Sequence, residues 1–356
     1  MRFDGKFSLV LGGGGLKGMA HIGVFQALEE LGMAPDLVVG CSMGSLIAGA
    51  WAAGMPTEEM KRIALGTTRK DIFQVAHADM AFKRMRAPAV YRPEPLEILI
   101  GRLVGERTFP ELPRRLVVAT VDLRTGAQVL WGLPGLQNIK VREAIFGSCA
   151  LPGIFPPREI EGRLCVDGAV FENLPVRIGA SECPGPVLAV HVGTTSGLSE
   201  SADPDGFAAA YIRALEIVMH TMLVERLRGW QAPPLLLVHP RVEHVGMFTF
   251  DHTRELIEEG YRATMEALDQ VPAGFPVGAA GIYPRRLVEV SVDRERCVGC
   301  GVCAMAAPAV FSLGDNRKAR VLVPMQEWSP VDGGYVRNCP TFAINARLPE
   351  PGPKPS

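Results

Sequence analysis

Net charge is what this sequence has least of. In 356 residues, 37 lysines and arginines face 38 aspartates and glutamates, a formal charge of −1. So even a balance gives no electrostatic case for nucleic acid, which requires a basic surface to neutralise phosphates. Long uncharged apolar runs are also lacking, which excludes a bilayer-spanning helix. Only Met1–Lys6 precede the first strand-like run, without a separate hydrophobic signal region. The expectation is a cytoplasmic protein that touches membranes at most transiently. No internal repeat shows in the first 270 residues, and the length suits one large core with a small appendage.

Glycine and serine occur in a pattern. The apolar run Phe7-Ser8-Leu9-Val10-Leu11 leads into Gly12-Gly13-Gly14-Gly15-Leu16-Lys17-Gly18. A glycine turn after a buried strand can expose several backbone N–H groups, as developing negative charge requires. A second strand, Asp36–Gly40, ends in Gly40-Cys41-Ser42-Met43-Gly44, and the small-residue apolar helix Met43–Trp51 starts at once. Strand, sharp turn and buried helix make a nucleophile elbow. Gly40 and Gly44 let the backbone approach closely, Ser42 is the candidate nucleophile, and the N–H groups of Gly13, Gly14 and Gly15 are the candidate oxyanion hole.

Two rival readings of the glycines lack a part. Gly13-x-Gly15-x-x-Gly18 fits a dinucleotide fingerprint, but the second strand ends in Gly40-Cys41-Ser42 where a ribose-binding carboxylate is needed, and Asp36 lies at its beginning. A phosphate-binding P-loop needs Ser or Thr after its lysine, and Lys17 is followed by Gly18.

Further blocks follow in order: Ala20–Val24, Ala119–Gly126, Ser148–Pro157 and Val166–Pro175. With these, residues from about 5 to 270 resemble the bacterial patatin-like phospholipases. The resemblance implies a three-layer α/β domain with a largely parallel central sheet. It also implies a Ser-Asp dyad, carried by motif onto Ser42 and Asp167 of Asp167-Gly168-Ala169, and a lipid ester as substrate. Lys17 stands where many relatives have arginine, a change that touches neither the backbone donors nor the nucleophile.

From the residues alone, Arg158–Ile160 and Arg163–Val166 flank the hairpin turn Glu161-Gly162, and Asp167 follows at the strand exit, where an aspartate is ordinarily just a turn residue. Chain order leaves a Ser-Asp-His triad open, since His191, His220, His239, His244 and His252 all follow Asp167. His191 and His239 lie in the apolar runs Val187–Val192 and Pro234–His239 and read as hydrogen-bonded strand-end residues, and His21 reads as packing. The dyad leads on the resemblance.

Eight cysteines are present. Cys41, Cys149, Cys165 and Cys183 are scattered in apolar or elbow contexts and read as buried thiols of a reducing compartment. The rest form Cys297-x-x-Cys300-x-x-Cys303, with Cys339-Pro340 far downstream. This is the ligand set of a bacterial-type ferredoxin cluster, whereas zinc would ordinarily show two separated Cys-x-x-Cys pairs. In the two-cluster pattern Cys-x2-Cys-x2-Cys-x3-Cys-Pro, the fourth cysteine ligates the other cluster. Here Ala307 replaces it before Pro308, and reading back from Cys339 finds Ser329, Asp332 and Tyr335 at the other three places. That loss leaves one cluster of the 4Fe-4S type on Cys297, Cys300, Cys303 and Cys339. The stretch 287–348 thus resembles a single-cluster bacterial ferredoxin, a small α+β domain with terminal strands near Val288–Val292 and Ala343–Ala346.

The expected organisation is an acyl hydrolase domain over 1–271, a Pro/Gly-rich linker over 272–286, the ferredoxin-type domain over 287–348 and a disordered tail over 349–356. Between Arg69 and Arg92, Ile72, Phe73, Met80, Phe82 and Met85 mingle with Lys83, Arg84, Arg86 and Arg92. Such a segment fits a membrane-resting lid, or more plainly an amphipathic surface helix-loop. The functional expectation is a serine acyl-ester hydrolase of phospholipase A type. The cluster domain either controls it or delivers electrons to a redox partner protein. The alternative is a redox module on a non-catalytic lipid-binding platform.

Overall fold

The computed structural model describes residues 5–76, 89–193, 205–271, 274–275 and 278–349. Much of the 69–92 segment, including Met80, Phe82, Lys83, Arg84, Met85 and Arg86, lies outside these. So do Pro272, Ala273, Pro276 and Val277 of the Pro/Gly break, and the tail from Glu350. The contact pattern divides the chain into two compact units, 1–281 and 282–356, a cut inside the expected linker but later than Val271.

The first unit is built on one sheet. Its strands are β1 (Ser8–Leu11), β2 (Leu37–Cys41), β3 (Leu116–Asp122), β4 (Gln128–Trp131), β5 (Arg158–Ile160), β6 (Arg163–Asp167), β7 (Val187–Val190) and β8 (Leu235–Val238). They lie in the order β5-β6-β3-β2-β1-β7-β8, with β4 also on β3. The five central strands β3, β2, β1, β7 and β8 are mutually parallel. Every residue of these five is buried. Strands buried on both faces need helices on both sides, which is the expected α/β architecture with a largely parallel sheet.

Two features of this sheet position the site. The first is the junction on β3. Strand β2 runs parallel to β3 and its last pair is Cys41 with Ala119, while β6 runs antiparallel and its last pair is Asp167 with Thr120. Strand β4 pairs with Val118–Val121, overlapping both partners, so β2 and β6 must share the opposite edge. Their C-terminal ends therefore run into each other at adjacent positions of β3. A Cβ on Gly168 would lie 2.5 Å from Ala119 O and 3.0 Å from Cys41 Sγ, so only glycine lets the chain leave β6 there.

The second feature is a close helix crossing. Helix α1 (Ala20–Glu30) follows the glycine turn and packs on the helix Thr253–Asp269. A Cβ on Gly23 would lie 1.9 Å from Ile257 O, and one on Gly260 1.9 Å from Ala20 O. These contacts bring the chain that enters Thr253–Asp269 onto the glycine turn. Met247 O accepts a hydrogen bond from Leu16 N–H at 2.8 Å. At the described ends of the 69–92 segment, Ile72 is buried and Phe73 packs against Tyr91, Phe155, Phe248 and Phe250 with ring centroids 4.9 to 5.9 Å apart.

In the second unit, Arg286–Val292 is the centre of a three-stranded antiparallel sheet between Met325–Trp328 and Ile344–Arg347. Phe311–Leu313 and Ala319–Val321 form a separate hairpin. Its core gathers Val288, Val290, Cys303, Phe311, Ala319, Trp328 and Ile344.

Candidate active site and cysteine site

Ser42 sits between β2 and helix α2 (Met43–Ala52) with φ 53° and ψ −130°. A positive φ strains a non-glycine residue by about 1–3 kcal/mol, and neighbouring contacts must hold it there. The glycines on either side are needed for space: a Cβ on Gly40 would lie 2.4 Å from Ser45 Cα, and one on Gly44 2.2 Å from Leu11 O. The strained N–H of Ser42 donates to Ser148 Oγ at 2.9 Å, and Ser148 Oγ donates to Ala119 O at 2.7 Å. Ser148 thus ties the elbow to β3. No sequence feature singles out that role, although Ser148 begins the block Ser148–Pro157 that carries part of the resemblance.

The β3 junction places Asp167 opposite the elbow, and Ser42 Oγ donates to Asp167 Oδ2 at 2.7 Å. The other carboxylate oxygen accepts Ala169 N–H at 2.9 Å and faces Cys41 Sγ at 3.8 Å. Asp167 is 2% exposed. Burial raises its pKa from 3.8 to about 6, against the bonds from Ala169 N–H, Ser42 and Cys41. Above that pH it is an ionised acceptor bonded to a serine hydroxyl, the arrangement a general base requires.

The histidines lie elsewhere in the bonding. Among the described residues, no histidine hydrogen-bonds to Ser42 or Asp167. His239 contacts Glu243 Oε1 at 2.7 Å and His191 O at 2.9 Å, and its ring stacks on His191 at 5.7 Å. His244 and His252 both contact Glu255. His191 and His220 line a small pocket with Gly13, Gly14, Lys17, Glu216 and Met247. His21 is fully buried with Nε2 2.8 Å from Gly12 O, and burial lowers its pKa to about 4.

The glycine turn carries a long-range bond at one residue. Gly13 N–H donates to Asn173 Oδ1 at 2.9 Å, and Asn173 Nδ2 donates to Gly13 O at 3.1 Å. In this structure the Gly13 N–H is thus engaged by Asn173. Its backbone runs so close to the serine that a Cβ would lie 2.8 Å from Ser42 Cβ. The N–H groups of Gly14 and Gly15 have no acceptor among the described residues, and they begin the short helix Gly15–Met19. Gly15 has φ 59°, and a Cβ there would lie 2.4 Å from Met247 O. Lys17 is buried, which lowers its pKa against the field of Glu216 and Glu243.

In the second unit, Cys297, Cys300, Cys303 and Cys339 line one pocket together with Gly299, Gly301 and Thr341. Gly299 and Gly301 have φ 73° and 79°, turning the chain between successive thiols. Cys297 Sγ accepts Ala319 N–H at 3.4 Å and Cys339 Sγ accepts Ala343 N–H at 3.3 Å. For Cys339, burial pushes the thiol pKa up, but N–H groups of Thr341, Ala343 and Ile344 outweigh it and the net shift is down. Thiolate sulfurs held by backbone N–H groups suit an iron–sulfur cluster. Tetrahedral zinc with bonds of about 2.3 Å needs sulfurs about 3.8 Å apart. No three of these sulfurs lie within 4.8 Å of one another, so the spacing fits a polynuclear cluster better than zinc. At the places of the lost second ligand set, Ser329 N–H and Oγ donate to Asp332, while the Tyr335 ring packs on Phe311 and Trp328.

Comparison with known proteins agrees on both regions. The patatin-like phospholipase family matches residues 9–179, and the 4Fe-4S single cluster domain family matches residues 290–345. An uncharacterized NTE family protein of Mycobacterium tuberculosis is 31% identical over 201 residues, 56% of this chain and 53% of the relative. The lysophospholipase NTE1 of Mycosarcoma maydis is 26% identical over 288 residues, 74% of this chain and 15% of the relative. The chain spans about half the length of the mycobacterial relative and less than a fifth of the fungal one. Among solved structures, VipD from Legionella pneumophila aligns with a TM-score of 0.42 at 17% identity, covering 74% of this chain and 67% of that one. The chain carries a patatin-like phospholipase domain, residues 9–179, and a 4Fe-4S single cluster domain, residues 290–345.

Proposed function

We propose that the first unit is a serine acyl-ester hydrolase acting on lipids, with Ser42 as nucleophile and Asp167 as its base. The observation that carries this is the 2.7 Å bond from Ser42 Oγ to Asp167 Oδ2 at a strained elbow, with no histidine among the described residues bonded to either. Ser42 Oγ attacks the ester carbonyl carbon while its proton passes to Asp167 Oδ2. The carbonyl oxygen takes the negative charge and accepts hydrogen bonds from Gly14 and Gly15 N–H. Collapse expels the alcohol, which takes the proton from Asp167, and leaves Ser42 acylated. Water then attacks this ester, giving its proton to Asp167, and the fatty acid leaves as the proton returns to Ser42. The helix α2 N-terminus favours the alkoxide at each stage.

The four cysteines would hold one 4Fe-4S cluster, which supplies one-electron redox chemistry when bound. The chain's own contribution there is to orient four thiolates and to stabilise Cys297 and Cys339 with backbone N–H groups. Contact with a membrane surface and with a redox partner protein belongs to the same proposal. So does a cytoplasmic location, supported only in that no helix among the described residues is long and apolar enough to cross a membrane.

The test is hydrolysis of a short-chain ester and of a diacyl phospholipid by the full chain, with Ser42→Ala as control. Loss of both activities in a folded Ser42→Ala variant supports the reading. Equal activity in variant and wild type overturns it, and a wild type inactive on both esters favours the lipid-binding platform.

A further inference from the structure

The loop that lies on the glycine turn is closed at its base by two imidazoles and a carboxylate. His244 Nε2 lies 2.6 Å from Glu255 Oε1, and His252 Nδ1 lies 2.7 Å from Glu255 Oε2. One ligand atom from each of the three residues lies within 4.8 Å of the other two, the one such group of His, Cys, Asp and Glu among the described residues. The side chains are 57%, 40% and 52% exposed for His244, His252 and Glu255, so an ion can reach them from solvent. Glu255 is in the first turn of the helix Thr253–Asp269 and His252 immediately precedes the helix, which places two of the donors at one helix end. That helix is held in turn by its crossing with α1 at Gly23 and Gly260.

We propose that His244, His252 and Glu255 form a zinc site that fastens the loop Val245–Asp251. Two neutral imidazole nitrogens and one carboxylate oxygen are a ligand set zinc prefers, with water completing the tetrahedron. Zinc replaces the two hydrogen bonds to Glu255 by bonds of about 2.0–2.2 Å from each donor to the ion. The donors are already close, so only small side-chain rotations are required. No covalent chemistry is involved, and the binding does not depend on the hydrolase reading.

The loop held this way is the one whose Met247 carbonyl accepts Leu16 N–H at 2.8 Å and whose Met247 side chain lies against Gly15. Its Phe248 and Phe250 pack edge-on against Phe73 at 5.3 and 5.9 Å. Joining residue 244 to residues 252 and 255 through one ion shortens the free chain across this cover. Zinc therefore slows opening of the cover over Gly14 and Gly15. This second step deepens the hydrolase proposal, because those glycines are its oxyanion donors.

The experiment uses full-length protein with its cluster intact, kept anaerobic, so that the cysteines are not available to zinc. Protein is equilibrated with Zn²⁺, desalted, and its zinc and iron counted by elemental mass spectrometry. Amide exchange over residues 241–256 is then compared with and without zinc. Wild type is expected to retain one zinc per chain with iron unchanged and to exchange more slowly over 245–251. The variants His252→Gln and Glu255→Gln should retain none and show no change in exchange. Zinc retained equally by His252→Gln, zinc gained only as iron is lost, or no zinc on wild type each overturn the site. Retention of zinc without slower exchange overturns the fastening of the loop, and ester hydrolysis is not needed for any of these readouts.

Discussion

Replacing Asp167 by asparagine separates the charge of the candidate base from its shape. The carboxamide oxygen can still accept Ala169 N–H, and the amide group can still face Ser42 Oγ, so the contacts at 2.9 and 2.7 Å persist in altered form. What disappears is a buried negative charge. Raising the carboxyl from 3.8 to about 6 costs its ionised form about 3 kcal/mol. Because the folded-state pKa is raised, the native protein holds a proton between pH 4 and 6 that the unfolded chain has lost. Wild-type stability therefore increases as pH falls through this window and is lower above it. Burying the new carboxamide offsets part of the gain, so Asp167→Asn is expected to be more stable than wild type by about 1–3 kcal/mol at pH 8. The difference should shrink by about 2 kcal/mol between pH 8 and pH 4.5.

His21 acts in the opposite sense. Its pKa is lowered to about 4, so its contribution is present above pH 6.5 and is lost as pH falls towards 4. It is common to both proteins and cancels in the difference. The assay is urea denaturation of both proteins at pH 8, 6 and 4.5, with hydrolysis measured on the same samples. The variant should be nearly inactive, and wild-type kcat/KM should fall to half at about pH 6. A variant less stable than wild type at pH 8, or a difference independent of pH, would refute the buried ionised base.

Other outcomes follow from the same geometry. With Asp167 raised to about 6, the acid limb lies close to where a histidine base would place it, so its temperature dependence is the discriminating readout. Carboxyl ionisation is nearly athermal and imidazole ionisation is endothermic, so the midpoint should stay fixed between 10 and 35 °C, and a midpoint that falls on warming would indicate histidine. Ser148→Ala removes the acceptor of the strained Ser42 N–H and should cost about 1–3 kcal/mol of stability. It should lower kcat far more than it changes KM, and Ser148→Thr should restore part of the activity. Cys339→Ala should abolish the cluster, measured as iron content and visible absorbance, although it lies far in sequence from the other three thiols. A variant retaining about four irons would remove Cys339 from the ligand set.

How much of this was legible in the sequence differs from residue to residue. The elbow was legible because strand, turn and helix are consecutive, and Ser42 falls where the spacing of Gly40 and Gly44 puts it. The hairpin strands were legible at 158–160 and 163–166 from their turn, one residue short of Asp167 where the second strand ends, and the cysteines from their register. Contacts between distant segments were not. That β2 and β6 meet end to end on β3 depends on a pairing register no local pattern encodes, yet it is what brings Asp167 to Ser42. The bond that engages Gly13 N–H was not legible, because its partner, Asn173, is 160 residues away. Ser148 has no local signature of its own, and its bond to Ser42 spans 106 residues. Gly23 and Gly260 look like ordinary helix glycines until the two helices cross. His244, His252 and Glu255 have no familiar metal spacing and converge only because a loop returns to a helix start.

The central claim is that Ser42 is the nucleophile of a Ser-Asp hydrolase, and covalent trapping tests it most directly. Cluster-bearing full-length protein is treated with a fluorophosphonate, digested, and the modified residue located by mass spectrometry. The account predicts a single adduct on Ser42 that is absent from Ser42→Ala, is strongly reduced in Asp167→Asn, and persists in His191→Gln and His239→Gln. An adduct on another residue, labelling that survives Ser42→Ala, or loss of labelling in a folded histidine variant to the extent seen in Asp167→Asn would contradict it.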